Sequence, residues 1–288
     1  LFPSICDVIR NLSGMWQLLF EDKYVRYFDV PQNYRDDVGG SFYIHELQQL
    51  RDDLAEMAGR EISDEDLRQS IAVYNDNRRV IADLYALRAK QPWQVPTSEV
   101  YLLLRAGMVL PVEEHSQLIR DYVAAADAEQ RPRRDNCRVV VNGVFCEQPP
   151  LGLIKSIEMA GCYVVDDDFL LVTRWLLDDV PLEGDPLENL SAAFLHRSAA
   201  TSAKFEPDKQ DKGRFLIDQV RDNGAEGVIF AAPSFCDPAL LDRPMLQDAL
   251  SAVDIPFTAF KYAENTGQLQ AIREQAGTFA DSIKLWSA

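Results

Sequence analysis

The 288-residue chain lacks most of the features by which common enzyme and membrane protein classes are identified. It has three histidines, and no Gly-rich phosphate loop, GxGxxG turn, GxSxG elbow, HExxH helix or CxxC pair. No run reaches the roughly 18 apolar residues that a membrane helix needs. Its five cysteines are odd in number and widely spread, unlike a secreted disulfide framework. We therefore expect a cytoplasmic protein.

Basic residues are also few relative to acidic ones. The chain has 29 Lys and Arg against 46 Asp and Glu, a formal net charge of −17. Such a surface repels phosphates on average, which argues against nucleic acid and anionic membranes as partners. The 47% content of hydrophobic residues is ordinary for a globular protein with a buried core.

The first residues, Leu1 to Asp7, have no basic leader and no small-residue cleavage site, so they do not form a signal peptide. They are typical of a buried strand that ends in a loop. This pattern predicts that the chain is a fragment, or that its N-terminal portion is missing.

The second half alternates short apolar runs with helical patterns. The predicted strands are 138–145, 162–165, 227–232 and 255–260, and the predicted helices are 151–160, 214–223, 238–253 and 268–283. Continuous apolar strands alternating with amphipathic helices indicate an α/β fold with a parallel sheet covered on both faces.

The first half is mostly helical in pattern. After a strand-like stretch at 24–30, the apolar spacing predicts helices over 42–58, 64–90, 98–108 and 113–126. The polar stretch 127–136 is the best boundary. We therefore predict three parts: 1–41 as the remainder of a first α/β domain, 42–127 as a helical region, and 137–288 as a second α/β domain. Breaks in composition at 183–189 and 202–212 predict a long loop inside that second domain.

One five-residue pattern occurs twice, as Pro-Ser-Ile-Cys-Asp at 3–7 and Pro-Ser-Phe-Cys-Asp at 233–237. Each copy follows an apolar run and opens a helix, so Cys6 and Cys236 are placed where ligands bind to open α/β sheets. The partial positive charge of a helix N-terminus favours a thiolate, which iron–sulfur clusters and soft metals require. The alternative is that both cysteines are small apolar residues at strand ends.

Two thiolates would not complete the coordination of a cluster. Further ligands would come from the missing N-terminal portion, from Cys146 or from a non-protein group. Cys146 ends the strand at 138–145, so it shares a sheet edge with Cys236 and is a candidate ligand or substrate-pocket residue. Cys137 and Cys162 fall at the opposite edge, and we interpret them as structural.

An acidic run, Asp166 to Asp168, follows the strand at 162–165. It lies at the ligand edge, and Asp167 is a candidate substrate-pocket residue. The alternative is a solvated turn that caps the following helix. His45, His115 and His196 each stand alone, which favours exposed or hydrogen-bonded histidines over a metal site.

Several segments together are similar to a known family. They are 4–7 with 10–12, 158–168 (EMAGCYVVDDD), 235–238 with Asp242, Pro244 and Leu246, and 262–265 with Gln268, Leu269, Ile272 and Arg273. In this order they resemble the 2-hydroxyacyl-CoA dehydratase and benzoyl-CoA reductase family. Their residues are most similar to the smaller cluster-bearing subunits of its reductase branch.

The resemblance implies two flavodoxin-like parallel-sheet domains with an additional helical region. It also implies a 4Fe-4S cluster held by three cysteines, of which Cys6 and Cys236 match the second and third. The first would lie upstream of Cys6. The implied partners are a homologous cluster-bearing subunit, an ATP-hydrolysing iron–sulfur activator and ferredoxin, with ATP and Mg used by the partner subunits.

The activity implied by the resemblance is one-electron reduction of the aromatic ring of benzoyl-CoA to a cyclic diene. Breaking aromaticity requires a donor of very low potential, and the protein environment of a cluster sets its potential. Two alternatives stay open: a 2-hydroxyacyl-CoA dehydratase subunit, which eliminates water through a ketyl radical, and a scaffold subunit without a cluster.

Overall fold

The computed structural model describes residues 1–145, 149–202, 204, 209–263 and 269–286. The chain forms two compact units, Leu1–Asn75 with Leu176–Ser198 and Asp76–Trp175 with Ala199–Ala288. The division predicted from composition, into 1–41, 42–127 and 137–288, divides the chain differently and stays a prediction.

Helices and strands follow the predicted alternation. The helices are α1 Asp7–Leu19, α2 Ser41–Ala58, α3 Asp64–Lys90, α4 Thr97–Ala106, α5 Val112–Ala128, α6 Leu151–Met159, α7 Pro186–His196, α8 Lys209–Asp222, α9 Asp237–Ser251 and α10 Leu269–Trp286. The strands are β1 Phe2–Pro3, β2 Tyr27–Phe28, β3 Cys137–Asn142, β4 Cys162–Asp167, β5 Gly227–Pro233 and β6 Phe257–Tyr262. A π-helical turn at Asp36–Gly40 precedes α2, and a 3-10 turn at Leu171–Arg174 follows β4.

The second unit contains a parallel sheet in the order β4-β3-β5-β6. In chain order these are its second, first, third and fourth strands, which is the flavodoxin-like arrangement. The strand order reverses between β3 and β5, and ligands bind in such folds at the carboxyl ends of the two strands that flank this point. The predicted α/β class with parallel sheets and added helices is confirmed.

Apolar residues cover both faces of this sheet. Val139 and Val141 of β3 belong to a buried cluster with residues of α3 to α6 and α10. Val140 lies between them and belongs to a second cluster with Leu216 of α8 and Leu250 of α9. Alternate residues of a strand point to opposite faces, so helices are needed on both sides. Full burial of such a side chain stabilises the fold by about 1.5–3 kcal/mol.

The first unit has a smaller parallel pair, in which Phe2 of β1 lies opposite Tyr27 of β2. Its helical part is held by a cluster of Ile71, Val180 and Ala193. None of the helices in the described ranges is long and apolar enough to cross a membrane.

The loop predicted at 183–189 is wrong, because α7 begins within it. The side chain of Asp185 accepts hydrogen bonds from the backbone N–H groups of Leu187 and Glu188, and Pro186 is the first helical residue. An acidic N-cap followed by proline is a strong helix start. Of the other predicted loop segment, 202–212, the residues from Lys209 onward belong to α8, and 203 and 205–208 lie outside the described residues.

Candidate functional site

The two copies of the repeated motif occupy the same place in their sheets, between the end of a strand and the start of a helix. Pro3 ends β1 and Pro233 ends β5. The next residue in each copy is a serine tied to the neighbouring parallel strand. The N–H of Ser4 donates to the carbonyl oxygen of Phe28 (3.0 Å), and that of Ser234 donates to the carbonyl oxygen of Tyr262 (2.9 Å). These bonds hold each strand end while the chain turns into a helix.

The side chains of the two serines strengthen the same turn. Ser4 Oγ accepts a hydrogen bond from the N–H of Val30 at 2.7 Å. Ser234 Oγ donates to the carbonyl oxygen of Tyr262 at 2.9 Å. The Ser4 hydroxyl thus supplies an acceptor for a backbone N–H that leaves the sheet, whereas the Ser234 hydroxyl adds a second hydrogen bond to the carbonyl that already accepts the N–H of Ser234.

Each cysteine is the N-cap residue of the helix that follows. Cys6 precedes α1 and is half-buried, and Cys236 precedes α9 and is 7% exposed. The predicted placement of both thiols, at a strand's carboxyl end and a helix N-terminus, is confirmed. Cys6 belongs to the first unit and Cys236 to the second.

Cys236 has an apolar surrounding. It forms a buried cluster with Ala232 and Ala239, and Phe145 packs against that cluster. Phe145 is the last described residue of the loop after β3, so this loop and the Cys236 turn meet at the point where the strand order reverses. Cys146, the next residue, lies outside the described residues, as do residues 264–268 of the segment that resembles the family.

Asp168 holds the loop after β3 in place. Its two carboxylate oxygens accept the backbone N–H groups of Gly143 (2.7 Å) and Val144 (2.9 Å). Gly143 has a φ of 102°, a region that favours glycine, so the loop turns sharply there. Burial, with a smaller contribution from Asp167, raises the pKa of Asp168 to about 7 against the two hydrogen bonds that lower it.

Asp167 is fully buried in an ion pair. Arg88 Nη1 of α3 donates to Asp167 Oδ2 at 2.6 Å, with both side chains 0% exposed, and Tyr85 Oη donates to Oδ1 at 3.0 Å. The neighbouring Asp166 pairs with Arg174 at 2.8 Å. The interpretation of this acidic run as a solvated turn is therefore wrong.

Sequence reasoning missed Arg88 and Tyr85 as partners of the acidic run. The available signal was indirect: carboxylates that end an apolar strand must be paired when they are buried. That signal does not say which helix supplies the cation. The role of Asp167 at a substrate pocket stays a prediction.

The other cysteines and the histidines have structural surroundings. Cys137 and Cys162 lie opposite each other on the neighbouring strands β3 and β4, and both thiols are buried. Burial raises the pKa of both, that of Cys162 to about 12. His115 is buried beside Asn77, and burial lowers its pKa. His45 bonds to Gln49 and His196 to Asp36. The prediction of hydrogen-bonded histidines is confirmed.

A thiol at a helix N-terminus fits an iron–sulfur cluster in chemical kind, since such clusters are held by thiolates. Within the described ranges, no three His, Cys, Asp or Glu side chains are grouped so that they could hold a metal ion. Cys6 and Cys236 are thus candidate donors whose set is incomplete there.

Comparison with known proteins places these features in a family. The family model for 2-hydroxyglutaryl-CoA dehydratase, D-component, matches residues 1–283. The chain is 65% identical over 287 residues to a subunit of the benzoyl-CoA reductase of Thauera aromatica, covering 100% of this chain and 74% of that relative.

More distant relatives are dehydratase subunits. The chain is 22% identical over 283 residues to the (R)-phenyllactyl-CoA dehydratase beta subunit of Clostridium sporogenes. It is 25% identical over 284 residues to the lactoyl-CoA dehydratase beta subunit of Anaerotignum propionicum. Both matches cover 98% of this chain and 74% of the relative. The chain belongs to the family of the 2-hydroxyglutaryl-CoA dehydratase D-component.

Proposed function

We propose that this chain is the iron–sulfur subunit of a benzoyl-CoA reductase, an oxidoreductase that reduces the aromatic ring of benzoyl-CoA by single electrons to a cyclic diene. The observation that carries this proposal is the 65% identity, along the whole chain, to the benzoyl-CoA reductase subunit of Thauera aromatica. The two cysteines at helix N-termini supply the soft donors that such chemistry requires.

Cys6 and Cys236 would hold a 4Fe-4S cluster together with ligands outside the described residues. When bound, such a cluster supplies single electrons at a low potential. Cys146 we propose as a pocket residue or further ligand beside Cys236. Asp167 we propose as a residue that supports the substrate pocket from within, since its carboxylate is fully buried against Arg88 and Tyr85.

The surroundings of Cys236 suit this role. Phe145, Ala232 and Ala239 exclude water from the thiol, and a dry shell around a metal site tunes its potential. Asp168 holds the loop that carries Phe145, so it positions this wall without touching the thiol. The chain's own part is therefore to bind, to orient and to exclude water.

The partners of the proposed enzyme are a homologous cluster-bearing subunit, an ATP-hydrolysing iron–sulfur activator and ferredoxin as electron donor. The acyl-CoA substrate would bind at this assembly. ATP and Mg would act on the activator, because this sequence has no phosphate-binding loop.

The ligands are tested by replacing the cysteines singly in anaerobically purified protein. Cys6→Ser and Cys236→Ser should each lower bound iron and acid-labile sulfide and abolish ring reduction, because each removes a thiolate donor. Cys162→Ser is the matched control: it is a buried cysteine at the opposite sheet edge and should leave iron content unchanged. Full iron retention in both of the first two variants would contradict the ligand assignment.

A second measurement separates the alternative functions. The 22% and 25% matches to dehydratase subunits favour a 2-hydroxyacyl-CoA dehydratase as the second candidate. Consumption of benzoyl-CoA, with no water elimination from a 2-hydroxyacyl-CoA, supports the reductase, and the reverse result supports the dehydratase. A colourless preparation without iron would instead identify a scaffold subunit.

A further inference from the structure

Lys212 of α8 and Asp242 of α9 form an ion pair that the proposed function does not use. Lys212 Nζ lies 2.6 Å from Asp242 Oδ2, and the two side chains are 10% and 26% exposed. Lysine is rarely this buried unless an opposite charge accompanies it. Because loss of one partner leaves the other charge without compensation, such a pair opposes the separation of the elements that carry it. The pair therefore ties α9 to α8.

Helix α9 starts directly after Cys236 and contains Pro244 in its middle. Proline has no N–H, so Pro244 cannot donate to the carbonyl oxygen of Leu240, and its ring crowds that carbonyl group. Helices bend or weaken at such a residue. The turns at 237–243 are therefore coupled less strongly to the rest of α9 than they would be in an uninterrupted helix.

The parts of α9 before and after Pro244 are held by different contacts. After it, Leu246 and Leu250 pack in the apolar cluster that joins α8, α9 and the sheet. Before it, Ala239 belongs to the small buried cluster that contains Cys236. The ion pair adds a charged contact between this first part and α8. The turns next to the Cys236 thiol thus depend on a small apolar cluster and on one ion pair.

We propose that Lys212 and Asp242 are positioning residues for Cys236: their ion pair fixes the first turns of α9 and, with them, the thiol at its N-terminus. Asp242 comes six residues after Cys236, about 9 Å along the helix, so the pair acts through the backbone. Groups that orient the ligands of a metal site tune that site without touching the metal. The inference rests on the proposed function where it treats Cys236 as a cluster ligand.

The first test measures how fast Cys236 reacts with a thiol reagent in the intact protein after a chelator has removed iron. Peptide mass spectrometry follows Cys236, with Cys6 in the same samples as internal reference. Asp242→Asn keeps the shape of the side chain and removes its charge. It should raise the labelling rate of Cys236 roughly tenfold, because the turn that buries this thiol opens more often. Cys6, in the other unit, should react as before, and Asp242→Glu should restore most of the slow rate.

Two further variants separate positioning from a general loss of stability. Lys212→Met removes the other charge and should raise Cys236 labelling as Asp242→Asn does. Leu250→Ala is the matched control, because it removes a buried side chain from the same helix beyond Pro244. It should leave the labelling rate unchanged. An equal increase in Leu250→Ala overturns the proposal, and so does an unchanged rate in both Lys212→Met and Asp242→Asn.

The second test uses the iron-loaded protein. The EPR spectrum and the midpoint potential of the cluster should differ between Asp242→Asn and the unaltered protein, because the surroundings of a ligand sulfur influence both. Identical spectra and potentials overturn the positioning of a cluster ligand. If no preparation binds iron, the proposed function fails, while the labelling rates still decide whether the ion pair places the thiol.

Discussion

At the residue scale, Asp168 is subject to two opposing effects. Two backbone N–H groups donate to its carboxylate and favour the charged form. Burial and the nearby Asp167 favour the neutral form and raise its pKa to about 7. The neutral form is thus favoured in the folded chain more than in the unfolded one. This residue therefore links the conformation of the loop after β3 to pH.

The sign of the pH dependence follows from the raised pKa. The contribution of Asp168 to stability is full below the ordinary pKa of an aspartate and is lost as pH rises through about 7. Between pH 4 and pH 8 the free energy of unfolding should decrease less in Asp168→Asn than in the unaltered chain. The difference should be up to roughly 4 kcal/mol. Urea unfolding at a series of pH values measures it.

The control for this prediction is Asp222→Asn, an exposed aspartate at the end of α8. Its curve of unfolding free energy against pH should run parallel to that of the unaltered chain. A parallel curve for Asp168→Asn as well would show that Asp168 has an ordinary pKa in the folded protein.

At the element scale, α7 shows how one cap defines a helix start. Asp185 Oδ1 accepts the N–H groups of Leu187 and Glu188 at 2.8 and 3.0 Å, and these donors have no partner within the helix. Asp185→Ala should therefore lower the free energy of unfolding by about 1 kcal/mol, whereas Asp185→Ser should retain most of it. Urea unfolding of the two variants measures the difference. Equal stability of both variants would contradict a capping role.

The repeated turn is the second feature at this scale. A strand ends in proline, a serine is bonded to the neighbouring strand, and a cysteine begins a helix, once in each unit. Parallel strands need a connection that leaves the sheet edge, and the backbone N–H of each serine bonds to the neighbouring strand at that point. The same local sequence has therefore produced the same order of strand end, serine anchor and helix start twice, although the backbone of Cys6 is extended and that of Cys236 is not.

At the scale of the whole molecule, charge and motif content indicate that ATP hydrolysis belongs to the proposed partners and not to this chain. The net charge is −17 and the sequence has no phosphate loop, so the surface repels ATP on average and has no Gly-rich loop to hold its phosphates. We expect no ATP hydrolysis by the chain, alone or with a homologous subunit. Ring reduction with a physiological donor should require a separate ATP-hydrolysing activator.

This expectation is checked by measuring the ATPase rate and benzoyl-CoA consumption with and without that activator. An artificial donor of sufficiently low potential should replace the activator, because the chain's own role begins after the electron arrives. Appreciable ATP hydrolysis by the isolated chain would show that energy enters through this subunit and would contradict the division of labour.

Local features could be predicted from the sequence because their causes are local. The helix predicted over 64–90 has those ends in the structure, where Ser63 and Asp66 bond to each other at its start. The alternation of strands and helices and the position of both motif cysteines were predicted equally well. Each depends on residues within a few positions of one another, whose spacing and capping chemistry act before the chain folds back.

Only the tertiary structure decided which distant residues meet. Asp167 pairs with Arg88 of α3, and Asp168 with the backbone at Gly143, across long stretches of chain. A cavity where β3 and β4 begin is likewise lined by Trp93, Arg133 and Tyr163, which come from three separate segments. Buried charges and donors bond to the partner that the packed helices and strands bring within hydrogen-bond distance. Composition and periodicity do not predict which partner that is.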